Sequence, residues 1–211
     1  MKPLVILCRH GNTFDRGDKV VMVGAREDLP LTVRGVEQAQ ELAHALEVRG
    51  VVPARIIAGP LKRTKVFAEK VQAITGMSAS IEIDPRLLEF DYGAWSGLSN
   101  EEIVALSGKE ALDAWQETSA RPTGVSFSPS PEQAREDAES LLRDLRSVSG
   151  CCVVVTSNGR LRELGRVLST STQSFKVKTG HACVISPHGN GWQILGWDLA
   201  PQQLADLLVA R

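Results

Sequence analysis

The chain has 211 residues, with 24 Lys+Arg against 25 Asp+Glu and a formal net charge of −1, which suits one medium-sized domain with its own core. This near-neutral balance argues against nucleic acid as a partner, and the lack of a polybasic run argues against a membrane surface. The four cysteines, Cys8, Cys151, Cys152 and Cys183, match no zinc-ligand spacing, so no metal site is expected and a reduced, cytoplasmic compartment is.

Met1 to Arg9 lacks the roughly 7–15 apolar residues of a secretory leader, and no apolar run reaches the ~20 residues of a membrane span. Residues 3–8 are instead a short run rich in Val, Ile and Leu that breaks at Arg9-His10-Gly11, the pattern of a strand buried on both faces. Phe14 to Leu29 is polar and aperiodic and reads as a loop. Thr32 can cap a helix whose apolar positions Val36, Ala39, Leu42, Ala43 and Leu46 follow 3–4 spacing up to Gly50. Arg55 to Ala58 predicts a second strand, closed by Gly59-Pro60. A helix carrying Val66, Phe67, Val71 and Ile74 on one stripe follows and stops before Gly76.

Ser80 to Asp84 predicts a minor strand, and Pro85 to Gly97 reads as irregular. Asn100 is placed as the cap of a helix to about Leu106, and Lys109 to Thr118 predicts another. A Pro/Ser-rich loop, Arg121 to Pro131, leads into a long helix to about Val148. Cys151 to Thr156 is the strongest strand signal in the chain and breaks at Ser157-Asn158-Gly159 into a helix with Leu161, Leu164 and Val167. Ala182 to Ser186 and Trp192 to Leu195 predict a hairpin around His188-Gly189-Asn190-Gly191, and an amphipathic helix follows Pro201. No repeat, low-complexity tract or linker divides the chain, so a single domain over 1–211 is expected. Strands alternating with helices predict an α/β class fold, a three-layer α/β/α sandwich around a mostly parallel sheet.

Ligands in such sheets bind beyond the carboxyl ends of the strands. Three breaks fall there, Arg9-His10-Gly11, Gly59-Pro60-Leu61-Lys62-Arg63 and Ser157-Asn158-Gly159. His10 ends the first strand and is the candidate nucleophile. Arg9 and Arg63 are candidate phosphate ligands, because a guanidinium bonds two phosphate oxygens and keeps its charge. Two arginines also favour the neutral, nucleophilic imidazole. The bland alternatives are a core histidine at a strand end and arginines in surface ion pairs. His44 lies opposite the apolar stripe of its helix and reads as solvated, and His188 falls in a turn. Trp95 and Trp115 read as packing residues, Trp115 alternatively as part of a cap over the substrate.

Arg9-His10-Gly11-Asn12-Thr13 resembles the opening signature of the histidine phosphatase superfamily, also called phosphoglycerate mutase-like. The resemblance continues through Asp28-Leu29-Pro30-Leu31-Thr32 with Gly35, Gln38 and Ala39, and through Gly59-Pro60-Leu61-Lys62-Arg63-Thr64. It returns at Leu88-Glu89-Phe90-Asp91-Tyr92-Gly93-Ala94-Trp95-Ser96-Gly97-Leu98-Ser99. It implies a phosphohistidine on His10, phosphate binding by Arg9 and Arg63 with Asn12 beside them, Glu89 as acid and then base, and no metal or other cofactor. Residues 97–130 would form an inserted helical cap.

The sequence departs from the family at two places. Thr156-Ser157-Asn158-Gly159 puts Ser157 where the family has a second catalytic histidine, usually in Thr-His-Gly-Gly. Serine donates one hydrogen bond without a charge, and losing one preorganised donor typically costs ~10²–10³ in rate. Ser157 therefore reads either as part of a modified phosphate pocket or as a turn residue. His181, Arg160 or Arg162 are the candidates to compensate. The family also often places an asparagine six residues after the nucleophile, where this chain has Arg16; Arg16 or Arg26 would stand in for it.

The expected function is hydrolysis of a small phosphomonoester, a phosphorylated metabolite being the expected partner, with no nucleic acid and no membrane. The alternative is a degenerate, weak or inactive member that binds a phosphorylated ligand or protein. A phosphoglycerate mutase fits less well, because Phe90 follows Glu89 where mutases have Leu-x-Glu-Arg. Sugar phosphates, nucleotide-like esters and a cobalamin-pathway ribazole phosphate remain open as substrates, and so does the oligomeric state.

Overall fold

Six strands, β1 (Leu4–Arg9), β2 (Arg55–Ala58), β3 (Glu82–Ile83), β4 (Cys151–Thr156), β5 (Ala182–His188) and β6 (Gly191–Leu199), form one sheet in the computed structural model, which describes residues 3–169 and 174–209. Their order is β3-β2-β4-β1-β5-β6. The pairings β1–β4, β2–β4 and β2–β3 are parallel, while β5 runs antiparallel to both β1 and β6. Met1 and Lys2 of the N-terminal reading lie outside the described residues.

The central strands β1 and β4 are apolar at every position before their last residues, Arg9 and Thr156, because both faces are covered. Leu4, Ile6 and Cys8 of β1 join Val153 and Val155 of β4 under one helical layer, α1 (Val33–Glu47), α2 (Lys62–Thr75) and α7 (Pro201–Val209). Val5 and Leu7 join Cys152 and Val154 under the other layer, α5 (Pro131–Leu145) and α6 (Asn158–Leu168). The result is the expected α/β/α sandwich. Burying each such side chain is worth about 1.5–3 kcal/mol. A one-residue slip would exchange the two sets, so packing pins the register that pairs Leu4 with Cys151 and Arg9 with Thr156. That register brings His10 and Ser157 out side by side at one edge, with the His10 N–H donating to the Thr156 carbonyl at 3.1 Å.

Helix ends follow their local chemistry. Thr32 caps α1, its hydroxyl accepting from the Gly35 N–H at 3.1 Å, and Gly76 ends α2 in the left-handed region at φ 69°. The cap of α3 (Asn100–Ser107) is Ser99 and not Asn100. Ser99 and Glu102 complete a reciprocal capping box, Glu102 accepting from the Ser99 N–H at 2.8 Å, which satisfies two helix-end donors at once.

Other boundaries shift too. The helix from Pro131 stops at Leu145, and the last strand extends to Leu199 because its bulged pairing with β5 continues to Ala182. Pro85–Leu87 and Gly93–Trp95 are short 3-10 turns within the segment expected to be irregular.

Between β3 and β4, α3 and α4 (Lys109–Thr118) close over an aromatic cluster of Phe90, Tyr92, Trp95, Trp115 and Phe127. Tyr92, Trp95 and Trp115 each meet Phe127 edge to face at 5.1–5.5 Å between ring centres. Among the described residues no helix is long and apolar enough to cross a membrane.

Candidate active site

A cavity of about 370 Å³ opens at the carboxyl ends of the central strands and is lined by Arg9, His10, Asn12, Arg63, Glu89 and Arg162, among others. The topology explains the convergence. Arg9 ends β1 and His10 follows it, Arg63 opens α2 after β2, and Arg162 comes from α6 after β4. Phe14, Val20, Val21 and Met22 give the cavity an apolar wall, and Trp115 and Gln116 of α4 reach it from above the sheet.

His10 is almost fully buried, and its Nδ1 lies 2.8 Å from the Gly11 carbonyl oxygen. A carbonyl only accepts, so Nδ1 bears the proton and Nε2 keeps its lone pair. The backbone turn that holds the imidazole needs two glycines. A Cβ on Gly11 would stand 2.2 Å from the Gly35 carbonyl oxygen, and one on Gly35 would stand 2.2 Å from that of Asn12. Asn12 is fixed in turn, its N–H donating to Gln38 at 2.8 Å and its side-chain oxygen accepting from Thr179 at 2.5 Å.

Arg9 donates to the Val177 carbonyl at 2.6 Å, and Arg63 to the carbonyls of Glu27 at 2.8 Å and Gly24 at 3.0 Å. Their Nε atoms are buried without a hydrogen-bond partner among the described residues. Asp28 caps α2 from outside, accepting from the Lys62 N–H at 2.7 Å, and so steadies the turn that presents Arg63. Burial first, then the charges of Arg9 and Arg63, push the His10 pKa well below its ordinary 6.5.

The imidazole is therefore expected to stay neutral below pH 6.5 in the ligand-free protein. An added phosphate anion offsets the two arginines and should move its titration upward. NMR of the ring across pH checks this; half-protonation at 6.5 or above without phosphate would contradict it. The unfolded chain protonates this histidine first, so the site costs stability as pH falls below 6.5 and costs none above it.

Glu89 is buried and held at two points. Oε1 accepts from the Phe90 N–H at 2.8 Å and Oε2 from the Gly159 N–H at 3.0 Å, at the start of α6. Tyr92 lines the cavity with it, and burial followed by the Glu89 charge holds the Tyr92 pKa well above its ordinary value. Ser157 is buried, and its Oγ has no hydrogen-bond partner among the described residues.

Of the residues expected to compensate for Ser157, only Arg162 lines the cavity. His181 does not: its Nδ1 lies 3.0 Å from Asp198, which holds the ring away from the cavity. Arg160 is a support behind Glu89, donating to the Leu88 carbonyl at 2.6 Å and pairing with Asp137 at 3.2 Å. Arg16 is exposed outside the cavity, and Arg26 pairs with Asp91 at 2.8 Å on the outer surface. Sequence reading missed Lys176, Asn158, Gln116 and Thr179 as lining residues. The alternation Phe175-Lys176-Val177-Lys178, apolar side chains buried and lysines exposed, marks an extended stretch that could have signalled Lys176.

The fold and the cavity define an α/β protein with a histidine and arginines gathered where the sheet ends. The chain belongs to the histidine phosphatase superfamily (branch 1), whose family model matches residues 5–200. It is 30% identical over 179 residues to a 2,3-bisphosphoglycerate-dependent phosphoglycerate mutase of Chelativorans, covering 80% of this chain and 82% of that one. It is also 30% identical to relatives from Enterobacter and Proteus mirabilis, of whose length the matches span 56% and 66%.

Among solved structures, mycobacterial glucosyl-3-phosphoglycerate phosphatase superposes with a TM-score of 0.77 at 22% identity, over 94% of this chain and 99% of that one. Alpha-ribazole phosphatase from Shigella flexneri does so with a TM-score of 0.72 at 21% identity, over 93% and 96%. At these identities the likeness establishes the shared fold.

Proposed function

We propose that this chain is a metal-independent phosphatase that hydrolyses a small phosphomonoester through a phosphohistidine on His10. The observation that carries the reading is a buried imidazole with a free Nε2 lone pair, sharing one cavity with Glu89 and with two arginines that bond backbone carbonyls and form no ion pair among the described residues. Arg9 and Arg63 bind the phosphoryl oxygens, and Asn12 steadies the turn. Nε2 attacks phosphorus while the ester P–O bond breaks, and Glu89 gives its proton to the leaving oxygen. Water then attacks the phosphohistidine, Glu89 takes its proton, and the N–P bond breaks to release inorganic phosphate.

Ser157 is buried and does not line the cavity, and its Oγ has no hydrogen-bond partner among the described residues, so its part in a modified phosphate pocket rests on its position beside His10 at the strand ends. Residues 97–130 act as a cap, α4 supplying Trp115 and Gln116 to the cavity. The four buried free thiols fit a reduced, cytoplasmic compartment. Names of relatives point both to mutases and to phosphatases. Phosphatase is favoured because Phe90, at the position after the acid, packs beside Tyr92 and Trp115 and presents no charge to the cavity.

A second reading, ligand binding without turnover, is favoured by the missing second histidine alone. Rapid-quench mass spectrometry with an aryl phosphate separates the two. Hydrolysis through His10 predicts a transient protein species carrying one phosphoryl group on the peptide that contains His10. Phosphate release with no such species would overturn the phosphohistidine, and binding with neither would establish the second reading.

A further inference from the structure

The cavity carries more positive charge than one phosphoryl group requires. Four cations line it, Arg9, Arg63, Arg162 and Lys176, and Glu89 is the one carboxylate among the lining residues. None of the four forms an ion pair among the described residues, whereas Arg26, Arg86 and Arg160 outside the cavity are all paired. Arg9 and Arg63 flank His10 and serve the phosphoryl group.

Arg162 and Lys176 have no such assignment. Arg162 is buried, its terminal nitrogens donating to the carbonyls of Trp115 and Gln116 and to the Ser119 hydroxyl, with its guanidinium 5.2 Å from the centre of the Trp115 ring. Carbonyls, a hydroxyl and a ring meet its terminal nitrogens, and among the described residues it has no ion pair and its buried Nε has no hydrogen-bond partner. Lys176 is placed by its neighbour: the Val177 N–H donates to Asn158 at 2.9 Å and the Val177 carbonyl accepts from Arg9. Although Lys176 is exposed over much of its surface, partial desolvation where it meets the cavity, then the like charges of Arg162 and Arg9, push its pKa down, so the three cations repel one another.

We infer that the cavity holds a second anion subsite at Lys176 and Arg162, and that the preferred phosphomonoester carries a second anionic group, a carboxylate or another phosphate, on its leaving-group side. A second anion relieves the repulsion that the first leaves in place. This assignment rests on the phosphatase reading for the placement of the phosphoryl group at His10.

Three propyl phosphate esters that differ only at the far carbon provide the test: hydroxypropyl phosphate, phosphonooxypropanoate and propanediol bisphosphate. Affinity is read by calorimetry on His10→Ala, in which no phosphohistidine forms, and turnover is read separately on the native chain. At least one doubly anionic ester is expected to bind about five- to tenfold more tightly than hydroxypropyl phosphate. Whichever of the two binds tighter identifies the second group. Adding Lys176→Met should bring that ratio close to one, and Lys176→Arg should keep it. Equal affinity for all three esters, or a ratio untouched by Lys176→Met, would overturn the subsite. No turnover of any ester with the preference intact would instead sink the phosphatase reading and leave the subsite standing.

Discussion

His10→Ala is expected to lower phosphate release from an aryl phosphate by about four orders of magnitude or more, with the fold intact. A covalent route is lost outright when its nucleophile is removed, and other groups of the site cannot share the work. The substitution is structurally mild by comparison. The imidazole makes one side-chain hydrogen bond, to the adjacent Gly11 carbonyl, and its backbone N–H still reaches Thr156. Above pH 6.5 the imidazole is neutral folded and unfolded, so its removal changes no protonation balance there. Circular dichroism and thermal unfolding should therefore match the native protein while steady-state phosphate release disappears. Retention of more than a tenth of the native rate would reject His10 as the nucleophile.

The second large effect is expected from Gly159→Ala. Alanine in a helix is ordinarily better than glycine by about 1 kcal/mol. Here the new Cβ would stand 2.3 Å from Glu89 Oε1, 2.9 Å from the Tyr92 hydroxyl and 3.0 Å from a Phe90 ring carbon. Overpacking of this kind costs about 1–3 kcal/mol, so the clash outweighs the gain in helix propensity. Glu89 is tied to the Gly159 N–H, and the acid must move when the helix start is displaced. A displacement near 1 Å at a reacting group costs roughly 10²-fold in rate. The variant should thus show both a lower Tm and a kcat reduced by about two orders of magnitude. A raised Tm with unchanged kcat would mean that the Glu89 loop yields without consequence.

Much of the architecture could be read along the chain. The all-apolar runs at residues 3–8 and 151–155 gave away doubly covered strands, and Thr32 and Gly76 marked helix ends through their own side-chain or backbone chemistry. Asn100 was misread as a cap because Asn and Ser are both good caps. The choice between them was made by Glu102, whose carboxylate lies where it can answer Ser99. His10, Arg9, Arg63 and Glu89 stood out because chemically rich residues follow strand ends or a recurring motif. Their convergence on one cavity is a matter of geometry, and their catalytic roles rest on the experiments above.

What the sequence by itself determined was the class of fold and the family, and it supplied the residues proposed for a phosphate site. Periodicity and local capping carry that information over a few residues at a time. The fate of the candidate substitutes for the second histidine was decided only in three dimensions. His181 turns to Asp198, Arg160 braces the Glu89 loop, and Arg162 faces the cavity, although Arg160 and Arg162 are separated by one residue. On a helix, two positions two apart project in widely different directions, so spacing alone does not say which side chain meets the ligand. The placement of Lys176 depends likewise on Val177 bonding to both Asn158 and Arg9, contacts spanning the chain, which exist only once the sheet has assembled.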